Sequence, residues 1–118
     1  MQKIITIGDW ILRFLLTALF ITQGIVKLGG STAWVSRFHV WGYPDHFYLV
    51  IGVVELLAGI ALLIPRLAPF GAVVLIVVMA GATLTHVVYR EPQVLTTIVL
   101  SALLVATLVI RRAKRRTE

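Results

Sequence analysis

Glu55 is a carboxylate in a place where charges are rare. It lies in the run IGVVELLAGIALLIP, residues 51–65, in which every other residue is apolar or small. Its depth in the apolar stretch 46–64 is roughly 13 Å at about 1.5 Å per residue, and a charge near mid-membrane costs about 2.5–3.5 kcal/mol. We therefore expect Glu55 to face the protein interior, protonated or paired with a cation. It serves there either as a ligand-binding group or as a structural polar clamp.

The first apolar stretch carries two cations on one helical face. Arg13 and Lys27 are separated by nearly whole helical turns, and Gln23 lies beside that face. Each cation has a structural explanation, because Arg13 follows Asp9 by four residues and Lys27 lies near a membrane surface where it can reach lipid headgroups. Alternatively, either cation bends toward Glu55. We count Arg13, Lys27 and Gln23 as candidate ligand-binding residues.

His86 is the third candidate functional residue. It lies about one turn from the end of the third apolar stretch. An imidazole there can form a hydrogen bond with a carboxylate, a ligand carbonyl or polar groups at the membrane interface. Together with Glu55, His39 and His46 it lacks the i,i+3 or i,i+4 spacing typical of metal ligands, so we predict no metal site. The sequence has no cysteine, which excludes disulfides and cysteine-ligated clusters within this chain.

Four apolar stretches must position these groups. The 118-residue chain is 59% hydrophobic and only 14% charged, whereas soluble domains are about half apolar and a quarter charged. The stretches are long enough to cross a bilayer as helices, and they cover residues 10–28, 46–64, 68–89 and 93–110. Short connections containing prolines make consecutive helices antiparallel neighbours. The predicted fold is all-α: one domain, residues 1–118, forming a membrane-embedded antiparallel four-helix bundle.

The distribution of basic residues predicts the orientation. Eight of the eleven, five of them in the tail 111–118, fall on the side of both termini. The positive-inside rule then places both termini in the cytoplasm, and we expect the inner (plasma) membrane. The tail is expected to contact anionic lipid headgroups, at about 1 kcal/mol per basic residue, rather than nucleic acid. Ser31-Thr32-Ala33 fits a signal-peptide cleavage site, but Lys27 interrupts its approach, so we expect a true span.

The first connection, residues 29–47, is rich in aromatic residues. It includes Trp34, Phe38, Trp41, Tyr43 and Phe47. Amphipathic aromatic side chains favour the headgroup level of a membrane. We expect a short interfacial helix or loop, acting either as an aromatic belt or as a lid over a ligand cavity. In the second case Trp41 and Tyr43 contact the ligand.

These residues together resemble the DoxX family of small four-helix membrane proteins. The resemblance rests on the order and spacing of Arg13, Gly24-x-x-Lys27, Phe38-x-x-Trp41-Gly42-Tyr43-Pro44, Gly52-x-x-Glu55-x3-Gly59-x-x-Leu62-Leu63-x-Pro65-Arg66 and Met79-x-Gly81-Ala82-x-x-Thr85-His86. It implies candidate sites at Arg13, Lys27, Glu55 and His86. It also implies two functional settings: membrane subunits of quinone-linked oxidoreductases, such as thiosulfate:quinone oxidoreductase, and, among animal relatives, assembly chaperones for receptor channels.

Two hypotheses follow. In the first, the chain is a quinone- or lipid-binding subunit of a membrane oxidoreductase system. Glu55 and His86 then hold the polar head of an isoprenoid quinone, and a membrane or peripheral protein partner supplies electrons, because this chain alone is not expected to catalyse a reaction or to bind a cofactor covalently. In the second, it is an assembly factor or structural partner. A polar stripe on the last stretch, formed by Gln93, Thr97 and Ser101, suits helix packing or a homodimer face.

Overall fold

The fold is entirely helical in the described part of the chain. A computed structural model describes residues 2–117, with side chains described for residues 3–114. Its five helices are α1 (Gln2–Leu28), α2 (Thr32–Val40), α3 (Phe47–Ala61), α4 (Ala68–Val88) and α5 (Val94–Thr117). No strand occurs among these residues. The predicted all-α class is confirmed, and α2 lies where the sequence predicts a short helix or lid.

Three helices have the length and composition needed to cross a membrane. They are Lys3–Leu28, Ala68–Val88 and Val94–Lys114. The apolar helix α3 has 15 residues, or about 22 Å at 1.5 Å per residue, against a hydrocarbon thickness of about 30 Å. It is shorter than the predicted span 46–64 because the backbone hydrogen bonds of Leu63 and Ile64 change to i−3 spacing, to Ile60 and Ala61.

Helices α1 and α5 extend beyond the predicted spans 10–28 and 93–110. The apolar pattern locates the part of a helix suited to hydrocarbon, whereas the helix itself continues wherever no breaking residue intervenes. Polar flanks therefore remain helical at both termini, including most of the predicted tail 111–118. The side chains of Arg115 and Arg116, and the whole of residue 118, lie outside the described part, as does any predicted headgroup contact they make.

The helices approach closely where small residues meet. Helix α1 packs mainly against α3, and α4 packs mainly against α5. A Cβ atom built on Gly24 would lie 2.7 Å from the Gly52 carbonyl oxygen, so only glycine allows α1 and α3 this separation. Farther along the same contact, the Thr17 hydroxyl donates to the Gly59 carbonyl at 2.9 Å. This close contact sets the face of α1 that carries Lys27 against the face of α3 that carries Glu55.

Candidate ligand-binding site

A cavity of about 540 Å³ lies between α1, α3, α4 and α5, with α2 forming part of its wall. Its size is in the range of small-molecule sites, which are mostly apolar with a few polar groups. Its apolar lining includes Phe20, Phe38, Ile51, Met79, Ala82 and Leu100. Its polar lining includes Gln23, Lys27, Glu55, Thr85, His86 and Gln93.

An ion pair between α1 and α3 forms one side of the cavity. The Lys27 Nζ atom donates to Glu55 Oε1, and both side chains are buried, with Glu55 only 1% exposed. Lys27 occupies the last turn of α1 and also lies 4.3 Å from the centre of the Trp34 ring. The Glu55 carboxylate is thus paired and also lines a cavity, two arrangements that the sequence hypotheses treated as alternatives.

A second polar pair joins the end of α4 to the segment that follows it. His86 Nδ1 lies 2.8 Å from Glu91 Oε1 in a hydrogen bond. Two backbone hydrogen bonds of a Schellman motif set this geometry, from Glu91 N–H to His86 O and from Arg90 N–H to Val87 O. Arg90 holds the left-handed conformation the motif requires, with φ 54°.

Sequence reasoning missed Glu91. Its separation of five residues from His86 matches no face of a continuous helix. Only the reversal of the chain after α4 brings the two side chains together. The sequence did contain a sign of this contact in the segment Tyr89-Arg90-Glu91-Pro92. Pro92 marks the end of a helix, and the carboxylate of Glu91 lies just beyond that end, a few residues after His86.

Three hydrogen bonds fasten the aromatic connection to the end of α4; we call them the latch. The Trp41 indole N–H donates to Glu91 Oε1 at 3.1 Å. The hydroxyl oxygens of Tyr43 and Thr85 lie 2.6 Å apart, and the Tyr89 hydroxyl donates to the Trp41 carbonyl at 3.1 Å. The connection therefore closes one side of the cavity through specific polar contacts, in addition to packing of its rings.

Phe38 is the centre of the aromatic packing in this connection. It is buried at 7% exposure, and its ring lies 5.3 Å from that of Trp41 and 5.4 Å from that of Tyr43, measured between centroids. Tyr43 in turn stacks on Phe47 at 5.1 Å. Ring contacts of this kind, mostly tilted, hold this aromatic wall in place.

A family model described as the DoxX-like family matches residues 11–110. The chain belongs to the DoxX-like family. Together with its three apolar helices, this membership indicates an integral, multi-pass membrane protein. No solved structure matches the chain.

In this DoxX-like protein the predicted site residues fall into two places. Six of the seven line the cavity: Gln23, Lys27, Trp41, Tyr43, Glu55 and His86. Arg13 lies at the opposite end, with its Nε atom 3.6 Å from Asp9 Oδ2, in the i,i+4 pair that the sequence offered as its structural explanation. Whether the six bind a ligand stays a prediction. Among the described residues, no group of three or more His, Asp or Glu side chains is arranged to hold a metal ion.

Gln93 and Thr97 also line the cavity, although their spacing suggested helix packing. Thr97 serves both purposes, since its hydroxyl accepts a hydrogen bond from Thr83 at 2.9 Å. Gln93 differs, because its Oε1 atom is buried without a hydrogen-bond partner in the described part of the chain. A buried acceptor of this kind suits a ligand hydroxyl, such as that of a reduced quinone, and not a carbonyl oxygen.

Proposed function

We propose that this DoxX-like protein binds an isoprenoid quinone, or a lipid of similar shape, as a subunit of a membrane oxidoreductase system. The observation that carries the proposal is the cavity of about 540 Å³, mostly apolar, with the Lys27–Glu55 pair and His86, the partner of Glu91, in its wall. A quinone needs an apolar slot for its ring and tail and one or two hydrogen-bonding groups for its carbonyl oxygens.

The Lys27–Glu55 pair suits carbonyl recognition because its ammonium donor is held by a carboxylate. The Lys27 ammonium has three N–H donors, so its bond to Glu55 leaves others for a ligand oxygen. Glu91 accepts a hydrogen bond from Nδ1 of His86, so Nε2 accepts from a ligand hydroxyl when the imidazole is neutral and donates to a ligand carbonyl only when it is protonated. Aromatic rings of the first connection would lie against the quinone ring. The chain itself would bind and orient the quinone, and a partner protein would exchange electrons with it.

The setting we propose is an antiparallel bundle of α1, α3, α4 and α5 embedded in the inner (plasma) membrane, with both termini cytoplasmic. Basic side chains at the end of the molecule opposite the cavity support this orientation. The Arg111 guanidinium donates to the Pro65 carbonyl at 2.7 Å, and Arg13, Arg111 and Lys114 line a small second cavity at that end. The ligand cavity would then open toward the outer half of the membrane.

Tryptophan fluorescence tests the proposal directly. Trp34 and Trp41 line the cavity, whereas Trp10 lies at the other end of the molecule. A short-chain ubiquinone, titrated into detergent-solubilised protein, is expected to quench the emission of the Trp10→Phe variant with saturation. The double variant Trp34→Phe/Trp41→Phe, which retains Trp10, is expected to show only weak, linear quenching. Linear quenching of equal strength in both variants would mean that the quinone only partitions into the micelle.

A further inference from the structure

A second, smaller cavity lies at the opposite end of the molecule, about 330 Å³ in volume. It is bounded by α1, the connection between α3 and α4, the start of α4, and α5. Its lining includes Asp9, Trp10, Arg13, Pro65, Arg111 and Lys114. None of these residues belongs to the proposed quinone cavity.

The charge of this cavity is predominantly positive. Among the lining residues that the structure describes, Arg13, Arg111 and Lys114 are the cations and Asp9 is the carboxylate. Asp9 accepts from Lys114 Nζ at 3.1 Å and lies 3.6 Å from Arg13 Nε. Asp9 is the one carboxylate among the described lining residues, and the charges of Arg13 and Arg111 alone exceed its charge, so the cavity favours an anion.

Arg13 contributes a buried donor that a bound anion could reach. Arg13 is 4% exposed, yet its Nε atom, 3.6 Å from Asp9 Oδ2, has no hydrogen-bond partner within the part of the chain described. The guanidinium packs over the Trp10 ring, 3.9 Å from the ring centre. A guanidinium offers five N–H donors, and leaving donors of a buried charged group unbonded is unfavourable. An acceptor oxygen of a ligand would bond the unpartnered Nε–H group.

The position of the cavity along the helices indicates where such a ligand lies. The apolar sequence of α5 ends at Ile110, and Arg111 begins the basic run. A boundary of this kind falls at the headgroup level of a membrane. Phosphate is the anion found there, and its tetrahedral oxygens match the fork of an arginine side chain.

We propose that Arg13, Arg111 and Lys114 form a binding site for a phosphate group, either that of an anionic phospholipid or free phosphate. Asp9 keeps the Arg13 and Lys114 side chains turned toward each other, so the cations are arranged before the phosphate arrives. The Arg111 guanidinium holds the Pro65 carbonyl through one nitrogen, which leaves its other N–H groups for the ligand.

The test compares phospholipid retention by matched variants. Wild type, Arg13→Gln and Arg66→Gln are reconstituted in nanodiscs of equal parts phosphatidylglycerol and phosphatidylcholine, then extracted and measured by native mass spectrometry. Arg66 is an exposed arginine near the same end that does not line the cavity. Wild type and Arg66→Gln are expected to retain phosphatidylglycerol at least about tenfold better than Arg13→Gln, the effect of one charge-assisted hydrogen bond. Arg111→Gln serves as a second site variant, should Arg13→Gln fold poorly.

Inorganic phosphate separates the two sources. Loss of retained phosphatidylglycerol upon added phosphate would support a lipid phosphate as the ligand. Saturable phosphate binding by calorimetry, weakened in Arg111→Gln without any lipid preference in the wild type, would support free phosphate. Equal lipid retention by wild type, Arg13→Gln and Arg111→Gln, with no phosphate binding, would overturn the proposal.

Discussion

Lys27 of α1 and Glu55 of α3 are joined by a buried ion pair that also forms part of the wall of the larger cavity. The pair lies where Gly24 and Gly52 bring the two helix backbones together. It balances the charge of a carboxylate deep in an apolar helix, which would be costly alone. The same two groups are therefore candidates for both stability and ligand recognition.

Removing one partner of this pair should lower the stability of the fold more than removing both. Lys27→Met or Glu55→Met leaves the other charge of the pair buried without its partner, with an expected loss of about 3–5 kcal/mol in the free energy of unfolding. The double variant Lys27→Met/Glu55→Met should be clearly more stable than Lys27→Met, since no buried charge remains. Reversible unfolding in mixed micelles measures all three. Additive losses in the double variant would show that the pair is not coupled.

Gly24→Ala should push α1 away from α3. The added Cβ would meet the Gly52 carbonyl oxygen at 2.7 Å and the Leu56 backbone nitrogen at 3.0 Å, neither of which can move without the helix. We expect a loss of about 1–3 kcal/mol in unfolding free energy. Gly8→Ala in the same helix is the control, because no described atom lies within 4 Å of its built Cβ. It should be neutral or stabilising by about 0.5–1 kcal/mol, and similar effects of both variants would contradict the close packing.

Arg90→Gly should stabilise the segment that carries Glu91. Arg90 has φ 54°, a conformation that costs a non-glycine residue about 1–2 kcal/mol. Glycine removes this strain, offset in part by greater freedom of the unfolded chain, so a net gain of about 0.5–1 kcal/mol is expected. Arg90→Ala removes the same side chain but keeps the strain. Thermal unfolding of the two variants compares them, and a gain in Arg90→Ala equal to that in Arg90→Gly would point to the charge instead.

Trp41→Phe should loosen the latch while retaining an aromatic ring. It removes the indole N–H that donates to Glu91, a hydrogen bond worth about 1 kcal/mol, or about fivefold in an opening equilibrium. The natural chain has no cysteine, so Ala82→Cys, within the cavity lining, provides a single reporter. Its reaction with a maleimide should be about fivefold faster in the Trp41→Phe background. The exposed Ala113→Cys should react equally in both backgrounds, and an unchanged rate at Ala82→Cys would show that the latch does not limit access.

Composition and hydropathy predicted the helices of this molecule, because a membrane requires long apolar helices whatever their detailed packing. Apolar stretches locate the long helices, and a carboxylate within such a stretch is expected to be buried. Glu55 is indeed buried, with a cation as its partner. The identity of the partner did not follow, since Arg13 and Lys27 share one helical face, and only the register of α1 on α3 selects Lys27.

The positions that escaped prediction depend on backbone geometry outside regular helices. Glu91 reaches His86 only through the reversal at Arg90, a residue whose type does not favour a left-handed conformation. The length of α3 depends on how the hydrogen-bond pattern changes after Ala61. The spacing of apolar residues along the sequence predicts neither feature, because it shows which face of a helix is buried and not where the helix ends.

Ligand binding in the larger cavity is tested most directly by filling the cavity with a larger side chain. Lipid-soluble molecules that co-purify with wild type, Ala82→Phe and Ala80→Phe are identified by mass spectrometry after each protein is shown to be folded. Ala82 lines the cavity, whereas Ala80, two residues earlier in α4, is exposed and outside it. We predict a quinone enriched in wild type and Ala80→Phe and lost from Ala82→Phe. The same unselective lipid in all three proteins would contradict a ligand site in this cavity.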